Sequence, residues 1–193
     1  MSQVAVWKIY SWNFLPNLNT IGGSLIFQYS YWDRLEGFPQ LNAIGQDFQV
    51  TSCPNLLEIN AFQNLQNVGQ SVSISLNPQL KSFNGLQNLK EVGADFILQH
   101  NPALPELASL GALQRVGRNL SVENSRLSGG INGLNALERV GGQFSFRNNP
   151  ELMHLNGFQS LKYVGSKLLM EQNETLVDLP GLEKLDTVGG LYF

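Results

Sequence analysis

The feature that most restricts this chain is a β-branched residue followed by glycine. It returns at Ile21-Gly22, Ile44-Gly45, Val68-Gly69, Val92-Gly93, Val116-Gly117, Val140-Gly141, Val164-Gly165 and Val188-Gly189. Successive glycines are 23 residues apart once and 24 residues apart six times. A period in this range marks a solenoid, in which each repeat buries its apolar face only by stacking on its neighbours. With that glycine as position 0, apolar residues recur at positions 3, 5, 11, 14, 17, 20 and 23, and of the 49 slots so defined only Ser128 is polar. The shorter spacing is explained by one residue missing near Tyr31, which moves Trp32 into the slot held elsewhere by Leu56, Leu80, Leu104, Leu152 and Leu176.

Positions 3 and 5 alternate with polar positions 2, 4 and 6, as in Asp47-Phe48-Gln49-Val50-Thr51 and Asn119-Leu120-Ser121-Val122-Glu123. A period of two is the mark of a strand with one buried face, and stacking such strands makes a parallel sheet. The wider spacing of the remaining slots predicts short extended or 3₁₀-like pieces that each drop one side chain inward. Small residues mark the corners: glycine at position 0, and Gly37, Ala61, Gly85, Ser109, Gly133, Gly157 and Gly181 at position 16. They are expected where a side chain would collide or φ is positive. Asn-Pro follows the strand at Asn77-Pro78, Asn101-Pro102 and Asn149-Pro150, with Cys53-Pro54 and Asn173-Glu174 as variants. Proline sets the turn, and an inward asparagine satisfies backbone groups that the bend leaves unpaired, which predicts an asparagine ladder.

The expected fold is mainly β: a right-handed parallel β-helix or leucine-rich-type solenoid with about eight 24-residue coils in a single domain spanning 1–193. Residues 1–21 read as a partial coil and cap, 22–188 as seven full coils, and 189–193 as the start of an uncapped further coil. Val4, Val6, Trp7, Ile9 and Trp12 supply the aromatic cap. At about 4.8 Å per coil the stack is roughly 38 Å long.

Composition bounds the partners. Charged residues make up 14% of the chain and the net charge is −3, so no basic field exists to neutralise a phosphate backbone, which argues against nucleic acid. No run of about 18 apolar residues occurs, so no membrane insertion is expected within this chain. The first ten residues, Met1 to Tyr10, lack the basic and apolar regions of a secretory signal. Cys53 is the only cysteine, which excludes an internal disulfide framework. His100 and His154 lie in different columns, so they and Cys53 make no metal site, and no cofactor is expected.

The run Val140-Gly141-Gly142 through Phe144, Phe146, Asn149-Pro150, Leu152, Leu155, Gly157-Phe158, Leu161 and Val164-Gly165 resembles the receptor L domain. That module occurs in growth-factor receptor ectodomains, fungal cell-wall proteins and bacterial and protist surface proteins. The resemblance extends from about Trp12 to Phe193. The animal receptors carry cysteines that this chain lacks, so the cysteine-poor bacterial, protist or fungal type is nearer. It implies extracellular or cell-surface display and binding of a protein or glycan. It implies no catalytic residues.

The outward positions carry the candidate site. Early coils present Ser24, Ile26, Gln28, Asp47, Gln49, Thr51, Ser71, Ser73 and Ser75, while later coils bring Glu123, Arg147 and Glu171 into one column near Lys167. The plain reading of that column is a solvated charge ladder, and the functional one is the polar rim of a partner footprint. Tyr29 and Tyr31 sit at the strand exit, where exposed rings suit protein or sugar contacts. A binding surface of Tyr29, Tyr31, Gln49, Thr51, Ser73, Glu123, Arg147 and Glu171 is therefore the first expectation. Association of copies through the uncapped last coil, as in a filament or surface layer, is the second. A carbohydrate-active enzyme is the third: Asp47 and Asp95 share a column two coils apart, about 9.6 Å by the sheet spacing, and His154 and Asp178 occupy equivalent corners. The four threonines Thr20, Thr51, Thr175 and Thr187 form no array, which excludes an ice-binding face. Asn119-Leu120-Ser121 and Asn173-Glu174-Thr175 match the glycosylation acceptor pattern.

Overall fold

The computed structural model describes residues 15–193. They form a parallel β-solenoid of about seven turns with coils of about 24 residues, mainly β and with almost no helix. The long strands Leu25–Gln28, Phe48–Thr51, Val72–Ser75, Phe96–Gln99, Leu120–Glu123 and Phe144–Arg147 pair in parallel, each with its counterpart one coil away. A shorter strand precedes each of them, from Thr20–Ile21 to Arg139–Val140, and the glycine at position 0 separates the two. In the continuous strand Tyr163–Leu169 both columns merge, so all belong to one 14-stranded sheet, with Thr187–Tyr192 paired beside it. The third side is built from turns, the 3₁₀ pieces Asn84–Leu86 and Ala108–Leu110, and two-stranded pairs such as Arg34–Leu35 with Glu58–Ile59. Val4, Val6, Trp7, Ile9 and Trp12, assigned to the cap, lie outside the described residues.

The position-0 glycines answer to sterics. A Cβ placed on Gly45, Gly69, Gly93, Gly117, Gly141 or Gly165 would overlap the carbonyl oxygen of the glycine one coil below. Coils therefore approach at this corner more closely than any side chain permits. None of these glycines has a positive φ; among the described glycines only Gly37 (111°) and Gly181 (105°) do. Among non-glycine residues the left-handed conformation recurs one residue before the ladder, at Tyr29, Ser52, Leu76, His100, Asn124, Asn148 and Gln172, all with φ between 52° and 59°, and also at Phe38 and Phe62 just after the position-16 corner. Except for asparagine, such residues enter this left-handed region at a cost of about 1–2 kcal/mol each.

The core is a continuous stack of leucine, isoleucine, valine and phenylalanine, with Phe48, Phe62, Phe83, Phe96, Phe144, Phe146 and Phe158 fully buried. The apparent polar slot at Ser128 is a correction to the sequence reading. Ser128 is exposed, and Leu127, at 1% exposure, takes the interior place. The corner before it is one residue shorter than usual, and an irregularity between Gly129 and Gly130, where they pair with Leu152 and His154, restores the register.

Candidate functional site

Two columns of corner residues run along the solenoid with the ladder between them. One wall is the left-handed column Tyr29, Ser52, Leu76, His100 and Asn124, and the other is Tyr31, Pro54, Pro78 and Pro102. Together they enclose an open groove of about 750 Å³ crossing five coils. A left-handed residue turns the chain sharply, so its side chain stands out as a ridge; two residues later proline fixes the exit. Tyr29, Tyr31 and Leu76 are 67%, 71% and 52% exposed.

The floor of the groove is the predicted asparagine ladder. Asn77 accepts the Cys53 N–H at Oδ1 (3.1 Å) and donates from Nδ2 to the Val50 carbonyl (3.0 Å). Asn101, Asn149 and Asn173 repeat the pattern on Asn77, Ser125 and Asn149. At these four corners a side-chain amide thus ties the coil to the one before it, and an unmet buried N–H or C=O would cost about 1–3 kcal/mol. Cys53 takes the ladder place in the second coil; burial pushes its thiol above the ordinary range, and contacts from the Ser30 backbone and hydroxyl pull it partly back. The lining stops at Asn124, and in that coil Arg126 stands where Pro54, Pro78 and Pro102 stand in earlier coils and lies 3.7 Å from Glu151.

The sheet face is differently disposed. Its polar side chains bond one another: Gln28 to Gln49, Ser73 to Ser75, Gln99 to Ser121, and Ser121 to Glu123 at 2.8 Å. Thr51 is half-buried beside Ser75 in the register. Arg147 pairs with Glu171 at 2.8 Å beside Glu123, and both partners remain partly exposed, so this pair adds at most about 1 kcal/mol. Tyr29 and Tyr31 are thus brought to the groove, whereas Gln49, Thr51, Ser73, Glu123, Arg147 and Glu171 lie on the adjoining face.

Position 2 carries a second ladder that the sequence reading took for open surface. Ser24, Asp47, Ser71, Asp95 and Asn119 each accept, through a side-chain oxygen, the backbone N–H of the equivalent residue in the next coil, at 2.8–3.4 Å. Asp47 and Asp95 are therefore structural acceptors. His154 Nδ1 and Asp178 Oδ1 do meet at 2.7 Å, on a partly exposed surface. Among the described residues no group of three or more His, Cys, Asp and Glu is placed to hold a metal ion. No helix there is long and apolar enough to cross a membrane. Both glycosylation triplets have their asparagine nitrogen engaged, Asn119 with Asp95 and Asn173 with the Phe146 carbonyl.

Sequence reasoning missed Leu76, His100 and the wall prolines as a set. The signal was present: Leu76 is a large apolar residue at a position outside every interior slot. The chain matches no family model, no curated protein and no solved structure.

Proposed function

We propose that this solenoid is a non-enzymatic recognition module, displayed extracellularly or at a cell surface, that binds a protein or glycan partner along the corner groove. The observation that carries the reading is the groove itself: half-exposed to exposed side chains, none of them acidic, lysine or arginine, aligned from Tyr29 to Asn124 above a run of buried amides. A groove pre-formed in this way loses little freedom on binding. The mutual bonding of the sheet-face residues supports the groove over that face as the principal contact. The resemblance to receptor L domains supports surface display. Screening the protein against peptide and glycan arrays, with a Tyr29→Ala/Tyr31→Ala variant alongside, tests it. Hits retained in full by the double variant would sink the groove as the binding site.

The last coil supports a second reading. Leu191 and Phe193 expose apolar side chains at 53% and 71%, which a second copy stacked end to end would cover. Sedimentation over a concentration series decides it, since a monodisperse monomer at high concentration excludes stacking.

A further inference from the structure

We infer that the occupant of the corner groove is a proline-rich protein segment in the extended polyproline II conformation. The inference rests on the groove being the recognition site and adds the chemistry of what lies in it.

Charge is the first argument. No carboxylate, ammonium or guanidinium group lines the groove, and the His100 imidazole is its one basic side chain. Such a groove suits an uncharged ligand and penalises a charged one, which would lose hydration without meeting a permanent counter-charge. The second argument separates peptide from sugar. A glycan presents hydroxyls all round and needs a dense set of polar partners, because each one desolvated without a hydrogen bond costs free energy. Leu76 and three prolines along the middle of the groove supply none, which leaves only the Ser52 hydroxyl and the His100 ring there. Apolar pyrrolidine rings fit there, and tyrosine and proline walls match the aromatic-lined grooves that take polyproline II segments.

Period is the third argument. Polyproline II advances about 3.1 Å per residue with three residues per turn, about 9.3 Å in all. Two coils of this solenoid advance about 9.6 Å. Equivalent ligand side chains therefore meet equivalent corners every second coil, at Tyr29, Leu76 and Asn124 in one wall. Polyproline II has no internal hydrogen bonds, so its carbonyls need donors. The Tyr29 and Tyr31 hydroxyls stand at one end, and the His100 ring and the Asn124 amide, whose oxygen accepts from Asn148, stand toward the other. Leu76 strengthens the case. It holds a large apolar side chain 52% exposed in the groove wall, surface that a bound apolar ring would cover.

The test is an NMR titration of the ¹⁵N-labelled protein with a nonaproline peptide, a glycine-serine peptide of equal length and a neutral linear hexasaccharide. Nonaproline is expected to shift Tyr29, Leu76 and His100 saturably, and the glycine-serine peptide is not. Leu76→Asn, which keeps the left-handed corner, and Tyr31→Ala should each weaken nonaproline binding about tenfold, while Met153→Ala leaves it unchanged. Nonaproline binding that ignores both groove variants overturns the inference. Hexasaccharide shifting the groove residues while nonaproline does not overturns the peptide occupant and keeps the groove. Silence from both ligands at millimolar concentration overturns both.

Discussion

Two of the corners that follow the long strands are one residue shorter than their counterparts, and the chain absorbs them in opposite ways. At Ser30-Tyr31-Trp32 the whole coil shortens, so Leu25 pairs with Phe48 at a separation of 23. At Ser125-Arg126-Leu127 the deficit is returned a few residues later by the Gly129–Gly130 irregularity, and Leu120 pairs with Phe144 at the usual 24. Both corners carry serine where the ladder has asparagine or cysteine, and both serines donate to the carbonyl two residues back, Gln28 and Glu123. Serine lacks the amide with which asparagine bonds two backbone groups of the coil before, so each shortened corner interrupts the run of asparagines. What lies outside differs: tyrosines open the groove at the first, and an arginine stands in place of the wall proline at the second. The core thus fixes what each slot contains, while the length and exterior of each corner set where the binding surface starts and stops.

The largest effect that bears on this comparison is expected from Asn149→Ala. It removes the acceptor for Ser125 N–H and the donors to the Val122 and Arg147 carbonyls, leaving buried groups unpaired. Chemical denaturation should show a loss of about 3 kcal/mol, against less than about 1 kcal/mol for Ser125→Ala, which loses one hydroxyl bond. Equal losses would break the ladder account of the corners.

Deleting Ser128 converts the second solution into the first. A shorter coil without the irregularity should still stack, at a cost of about 1–2 kcal/mol, with the far-UV circular dichroism of a β protein retained. Global unfolding would mean that only the end of the stack tolerates a short coil. Leu76→Asn acts between the two corners and should raise stability by about 1 kcal/mol through relief of the left-handed leucine, while weakening ligand binding. A thermal midpoint below that of the wild type would contradict that account of the strain.

Cys53 lies beneath Ser30 as Asn149 lies beneath Ser125. Its folded-state pKa is raised, so the thiol's contribution to stability is fully present below the ordinary thiol pKa of about 8.5 and is lost as pH rises through the higher folded value. Denaturation midpoints of wild type and Cys53→Ser should converge above that range, and parallel curves would count against a buried neutral thiol. The smallest effect belongs to Arg126→Ala. Its ion pair with Glu151 is exposed and contributes at most about 0.5 kcal/mol, so stability should scarcely move, whereas affinity for peptides longer than the groove should rise. Unchanged affinity would place the end of the groove elsewhere.

The repeat, the interior slots and the Asn-Pro ladder could be read directly because they are one-dimensional facts: burial in a stack of like coils demands the same residue class at the same offset in each. That rule also made the sequence misleading at Ser128, where a count from glycine cannot register one residue lost at a corner and another gained after it. The acids at Asp47 and Asp95 looked free because nothing local marks a side chain that accepts a hydrogen bond from a backbone 24 residues later. Tyr29 and Tyr31 were legible as exposed rings, but the groove they open was not. Its walls come from two columns at different offsets, and only the sharp left-handed corner between strand and ladder brings Leu76 and Pro78, or His100 and Pro102, to face one another. The sequence by itself determined which side chains go inward and how often. The tertiary structure decided how the outward ones are grouped, because corner geometry depends on φ and on the ladder beneath, and a hydrophobic period is silent about both.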